Sequence, residues 1–174
     1  MVVINAEINQ FSFFSRSIAA NLKELCETLD IPEPVSVNTV EALAEKLEEH
    51  RDHDILLFSN FPPDSSYPDG KKTGNSFRND ECGYQSWQED TYARSISLFK
   101  YLGMEYKFKA IHFITGAPEK LVSDEMLRSF SGHFPVTVAR KKDWLHRVLS
   151  YEQLFILFML DKIKEAIPQS RRKK

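Results

Sequence analysis

The sequence predicts a three-layer α/β domain, a doubly wound parallel sheet of five strands in the order 2-1-3-4-5 with helices on both faces. Three observations lead there. Short apolar runs alternate with amphipathic segments of helical length along the whole chain. The run Asp54-Ile55-Leu56-Leu57-Phe58 is continuously apolar after its first residue, as suits a central parallel strand covered on both sides. No internal repeat and no linker divides the 174 residues, a length that fits one domain. Strands alternating with helices require right-handed crossovers, which set helices on both faces of the sheet.

Val2-Val3-Ile4 reads as the first strand. Helix one follows, with Phe14, Ile18, Leu22, Leu25 and Leu29 on one face, and Pro32 and Pro34 stop it. Val35-Ser36-Val37 is a short second strand. Asn38 is expected to cap helix two, with Glu41 reaching back to the cap, and Val40, Leu43, Ala44 and Leu47 forming its apolar face. Strand three is 54–58. The next segment, Asn60 to Trp87, breaks the rhythm. It holds Gly70, Gly74 and Gly83 with Pro62, Pro63 and Pro68, and reads as a long functional or disordered insertion. Helix three restarts at Ser86, where Ser86 and Glu89 match a capping box and Tyr92, Ile96 and Phe99 continue one face. Ile111-His112-Phe113-Ile114 is strand four. Pro118 opens a helix that ends near Gly132. Val136-Thr137-Val138 is strand five. A final helix starts at Asp143 or Ser150 and reaches Ile167, with Pro168 beyond. This is a flavodoxin-like arrangement.

Composition narrows the function classes. Hydrophobic residues make up 42% and charged residues 28%, a globular balance, and 13 phenylalanines supply a sizeable core. A net charge of -2 offers no positive field for nucleic acid, and the basic ending Arg171 to Lys174 reads as a solvated tail after a domain spanning 1–170. The two cysteines, Cys26 and Cys82, form no CxxC pair, and no His/Cys cluster has metal-ligand spacing. That usage fits a reducing cytoplasm. No signal peptide is read, and the longest apolar run, Leu154 to Leu160, falls short of the roughly 20 residues of a membrane span. No GxSxG, Walker A or GxGxxG motif occurs.

In a doubly wound sheet, ligands sit outside the carboxyl ends of the strands. The residues there are Asn5-Ala6-Glu7, Ser59-Asn60, Thr115-Gly116 and Arg140-Lys141. The stretch Val35 to Ser59 resembles the CheY-like receiver domains of two-component signalling. It has a short strand, a Glu-Ala-Leu-rich helix, an Arg-Asp-His-Asp approach and an apolar strand. The resemblance implies a phosphoacceptor aspartate five residues after Asp54, a hydroxyl residue ending strand four and a lysine ending strand five. Ser59 stands at the acceptor position, Thr115 matches the hydroxyl, and Arg140 or Lys141 is the nearest basic equivalent. Only Glu7 remains of the acidic cluster that binds Mg²⁺ in receivers. A serine hydroxyl cannot form the acyl phosphate that drives their switching. The resemblance therefore implies a pseudo-receiver, with Glu7, Ser59, Thr115, Arg140 and Lys141 as a degenerate site and no cofactor or metal.

A second resemblance concerns Glu89. Ser86-Trp87-Gln88-Glu89, after a strand ending Phe58-Ser59, is similar to TIR domains, whose glutamate acts in cleaving the N-glycosidic bond of NAD. A carboxylate there would stabilise oxocarbenium-like charge. The spacing from tryptophan to glutamate is shorter than in that family, and the capping box explains Glu89 without catalysis. Of the five histidines, His112 lies mid-strand and reads as packed; His50, His53, His133 and His146 are scattered.

The last helix is apolar on every face from Leu154 to Leu160, so one side is left to be covered after the other packs on the sheet. Leu154, Phe155, Leu157 and Phe158 are taken as an interface for a homodimer. The expected function is a non-enzymatic signalling and protein-interaction module with no nucleic-acid or membrane partner. The alternatives are a TIR-like or deoxyribosyltransferase-like N-glycosidase acting through Glu89, and a small-anion-binding domain using Ser59, Thr115 and Arg140.

Overall fold

Five parallel strands lie in the order β2-β1-β3-β4-β5, with β1 (Val2–Ala6), β2 (Val35–Val37), β3 (Ile55–Asn60), β4 (Phe108–Thr115) and β5 (Val136–Arg140). This is the predicted doubly wound sheet, of flavodoxin-like topology. The computed structural model describes residues 1–6, 13–60, 97–115, 134–140, 149 and 151–168. Among these residues the helices are α1 (Phe13–Thr28), α2 (Val40–Glu49), α3 over residues 97–105, and α4 (Tyr151–Ala166). The expected insertion after strand three, the start of helix three at Ser86 and the helix opening at Pro118 fall outside the described residues.

Alternation along the strands divides the core into two apolar clusters. On one face Ile4, Ala6, Ile55, Leu57, Ile111 and Phe113 meet Leu43 and Leu47 of α2 and Phe99 and Leu102 of α3. On the other face Val3, Leu56, Phe58, Ala110 and Ile114 meet Leu22 and Cys26 of α1 and Phe155, Met159 and Ile163 of α4. Such double coverage demands an apolar run without polar alternation, and all four of Ile55, Leu56, Leu57 and Phe58 are fully buried. A register shift between Ile55 and Leu56 skips Lys109 on β4. That bulge lets Phe108 share a face with Ile111 despite their odd spacing.

Several local expectations are corrected. β1 continues through Asn5 and Ala6, because both pair with β2 and β3 at once. β3, β4 and β5 likewise extend to Asn60, Thr115 and Arg140, so the candidate residues are terminal positions of strands rather than loop residues. The cap of α2 is Thr39, not Asn38. Thr39 has the extended backbone a cap requires, and its hydroxyl accepts from the Ala42 amide at 3.0 Å. Ala44 is exposed, while Leu43 and Leu47 carry the buried face.

Helix α1 ends before its prolines act. Asp30 adopts a left-handed backbone, φ 53, and its amide donates to the Glu27 carbonyl at 3.2 Å. The Ile31 amide donates to the Cys26 carbonyl at 3.0 Å, which completes a Schellman turn with aspartate where glycine is usual. Pro32 and Pro34 then only prevent resumption.

Helix α3 is seated by Gly103. A Cβ there would lie 2.3 Å from Cε1 and 2.8 Å from Cζ of Phe134, a ring that is itself buried against Phe108. Alanine ordinarily favours a helix interior by up to about 1 kcal/mol over glycine. Here Gly103→Ala is expected to lower stability by about 1–3 kcal/mol through overpacking, read as a reduced urea midpoint.

Candidate functional site

The carboxyl edge of the sheet is where the topology collects the polar residues flagged in the sequence. Ser59 ends the apolar part of β3, in register with Ala6 on β1 and Phe113 on β4. It is 1% exposed. Arg140 ends β5 in register with Thr115 of β4 and is 6% exposed. Strand alternation sets Ser59 and Arg140 on the same side, that of α2 and α3, because Leu57 and Val138 two residues earlier belong to that cluster. One strand lies between them, about 10 Å across the sheet, and Arg140 stands two residues beyond the row of Ser59, Phe113 and Val138. Asn5, 3% exposed, belongs to the opposite side, with Val3. Asn5, Ser59 and Arg140 each have an interaction partner. Glu7, Lys141 and Glu89 lie outside the described residues; of the expected set the structure places Ser59, Thr115 and Arg140 along one edge of the sheet, with Thr115 and Arg140 in register.

Chemically, this edge offers donors and no described carboxylate. A buried guanidinium is costly unless paired, and in a low-dielectric setting its planar fork holds carboxylate or phosphate oxygens strongly. A buried serine hydroxyl can donate one hydrogen bond and accept others. Nothing in this pair supplies an acyl acceptor. Among the described residues, no three His, Cys, Asp or Glu side chains are placed to hold a metal ion.

The polar pair on the opposite face stands out less in the sequence. Asn5, Phe58, His112 and Thr137 form one registered row across β1, β3, β4 and β5. His112 is packed, as expected, at 4% exposure, and its Nδ1 lies 2.5 Å from Thr137 Oγ1. The ring is tilted against Phe58 at 5.1 Å and meets Phe158 edge-on at 6.0 Å. Burial, with a smaller contribution from the Lys162 cation, pushes the imidazole down to about 4. A histidine inside an otherwise apolar strand was the available signal; its threonine partner, 25 residues away, had none.

Cys26 is buried in the same layer, and desolvation raises its thiol to about 11, which removes it as a nucleophile at neutral pH. On α4, Phe155 is 3% exposed, and Phe158 is half-buried with its ring edge-on to Phe58. This corrects the assignment of Phe155 to an outward interface. Leu157 is 49% exposed and Leu154 is half-buried. Among the described residues no helix is long and apolar enough to cross a membrane. Comparison with protein-family models, with curated proteins and with solved structures finds no match.

Proposed function

We propose that the chain is a non-enzymatic signalling module of pseudo-receiver type, working by binding rather than by phosphoryl transfer. The observation that carries this reading is Ser59, buried at the carboxyl end of the central strand of a 2-1-3-4-5 sheet, where a receiver would hold its acceptor aspartate. Thr115 and Arg140, registered side by side at the ends of β4 and β5, support the retention of an anion-compatible rim beside the lost acceptor. Partners are other proteins, and the location is cytoplasmic. Self-association runs through the outward side of α4, where Leu157 and Leu154 lie.

Incubation with acetyl phosphate or phosphoramidate in Mg²⁺ is expected to leave the intact mass unchanged. A stoichiometric, hydroxylamine-labile phosphoryl adduct would overturn the reading. Turnover of NAD or nucleosides that disappears in Glu89→Ala would replace it with the N-glycosidase alternative. Static light scattering tests self-association: a clean monomer mass at micromolar protein would remove that element.

A further inference from the structure

We propose that His112 is an acid-sensitive latch for the last helix: protonation of its imidazole releases α4 from the sheet. The neutral ring is the form that its surroundings accommodate. Nδ1 shares a hydrogen with Thr137 Oγ1, while Nε2 is buried with no hydrogen-bond partner among the described residues. An imidazolium must donate from both nitrogens, and Nε2 then has no acceptor. Leaving such a charged donor unmet in the interior is far costlier than leaving a neutral one.

The strain of a second proton falls on one element. His112 sits on β4, which is laddered to β3 and β5 on both sides. Phe58 and Thr137 are therefore fixed with it. Among the described residues the remaining neighbour is α4, which supplies Phe158 against the ring and the Lys162 cation that opposes its protonation. Lys162 is 18% exposed in its side chain and is held by Glu165 at 2.9 Å and Asp161 at 3.3 Å. Both carboxylates are more than half exposed and engaged with Lys162, so they do not reach the buried nitrogen as acceptors. Among the described side chains of α1, the titratable group in this layer is Cys26, held as the neutral thiol. The neighbours of the ring on β3 and β5, Phe58 and Thr137, do not titrate. Moving α4 outward removes the repelling cation and admits water to Nε2 in one step. It also uncovers Phe155, Met159 and Ile163.

The direction follows from the linkage. The docked ring titrates near 4 and a solvated histidine near 6.5. The released state therefore takes up the proton first, and docking, complete above the upper value, weakens as pH falls toward the lower one. One proton makes the opening equilibrium rise about tenfold per pH unit across that window. Hydrogen–deuterium exchange of the full chain, corrected for intrinsic rates, tests it. Peptides from 151–167 are expected to lose protection about tenfold per unit below about pH 6.5, while β1, β3 and β4 stay protected. In His112→Phe the α4 peptides should show no such slope. In Lys162→Gln, where the docked state accepts the proton more readily, the loss should level off at a higher pH, so that relative to neutral pH it is smaller near pH 4. Simultaneous loss from α4 and the sheet, or an unchanged slope in His112→Phe, overturns the latch. Should that variant not fold, an unchanged loss near pH 4 in Lys162→Gln overturns it.

Discussion

Phe99→Ala is expected to lower the free energy of unfolding by about 3–5 kcal/mol, the range for truncating a fully enclosed aromatic side chain. Phe99 is fully buried and meets Phe113 of β4 edge to face, with ring centroids 4.7 Å apart. The loss combines the transfer energy of the ring, the cavity left between α3 and the sheet, and the aromatic pair. The same helix carries internal controls. Tyr101 and Met104 are 56% and 72% exposed, so alanine at either should change stability by no more than about 0.5 kcal/mol. Urea denaturation at equilibrium reads all three. A Phe99→Ala effect below about 1 kcal/mol would mean that α3 is not docked on β4 as described.

The second large effect separates the two sides of α4. Phe155→Ala should cost about 3–5 kcal/mol, because this ring is 3% exposed in the cluster that joins α1, α4 and the sheet. Leu157→Ala, two residues on, should leave the stability of a monomer within about 0.5 kcal/mol, since Leu157 is 49% exposed. A uniformly apolar run thus splits into a structural side and an outward side. If self-association uses the outward side, Leu157→Ala weakens it in light scattering without moving the denaturation midpoint at low protein concentration. A large loss of monomer stability in Leu157→Ala would show that the helix is rotated from the described position.

The polar network at the opposite pole of the sheet is a weaker contributor. Arg51 bonds Glu48 at 3.0 Å and Glu105 at 3.1 Å and lies over the Tyr106 ring, tying the end of α2 to the end of α3. All of these charges are exposed, so the network orders two helix ends more than it stabilises the fold.

Much of this architecture was legible locally, and the reasons are particular. Ile55 to Phe58 announced a strand covered on both faces, because four consecutive apolar residues cannot serve a strand with one wet side. Leu43 and Leu47 announced the buried stripe of α2, because a spacing of four returns to the same side of a helix. The placement of Ser59, Thr115 and Arg140 at the carboxyl edge of the sheet followed from counting elements. Less legible was the choice between neighbours of equal chemistry, as with Asn38 and Thr39 at one cap or the Schellman turn at Asp30 ahead of two prolines.

By itself, then, the sequence determined the strands and the described helices, since periodicity is a property of short segments, and the sheet order followed from the likeness of their alternation to a doubly wound fold. Only the tertiary structure decided which face each polar residue occupies. It sets Ser59 and Arg140 on one side of the sheet and His112 with Thr137 on the other. It also turns Phe155 inward and Leu157 outward. The physical reason is register: a strand side chain's partners lie on other strands, tens of residues away, and a shift of one residue would exchange the two faces.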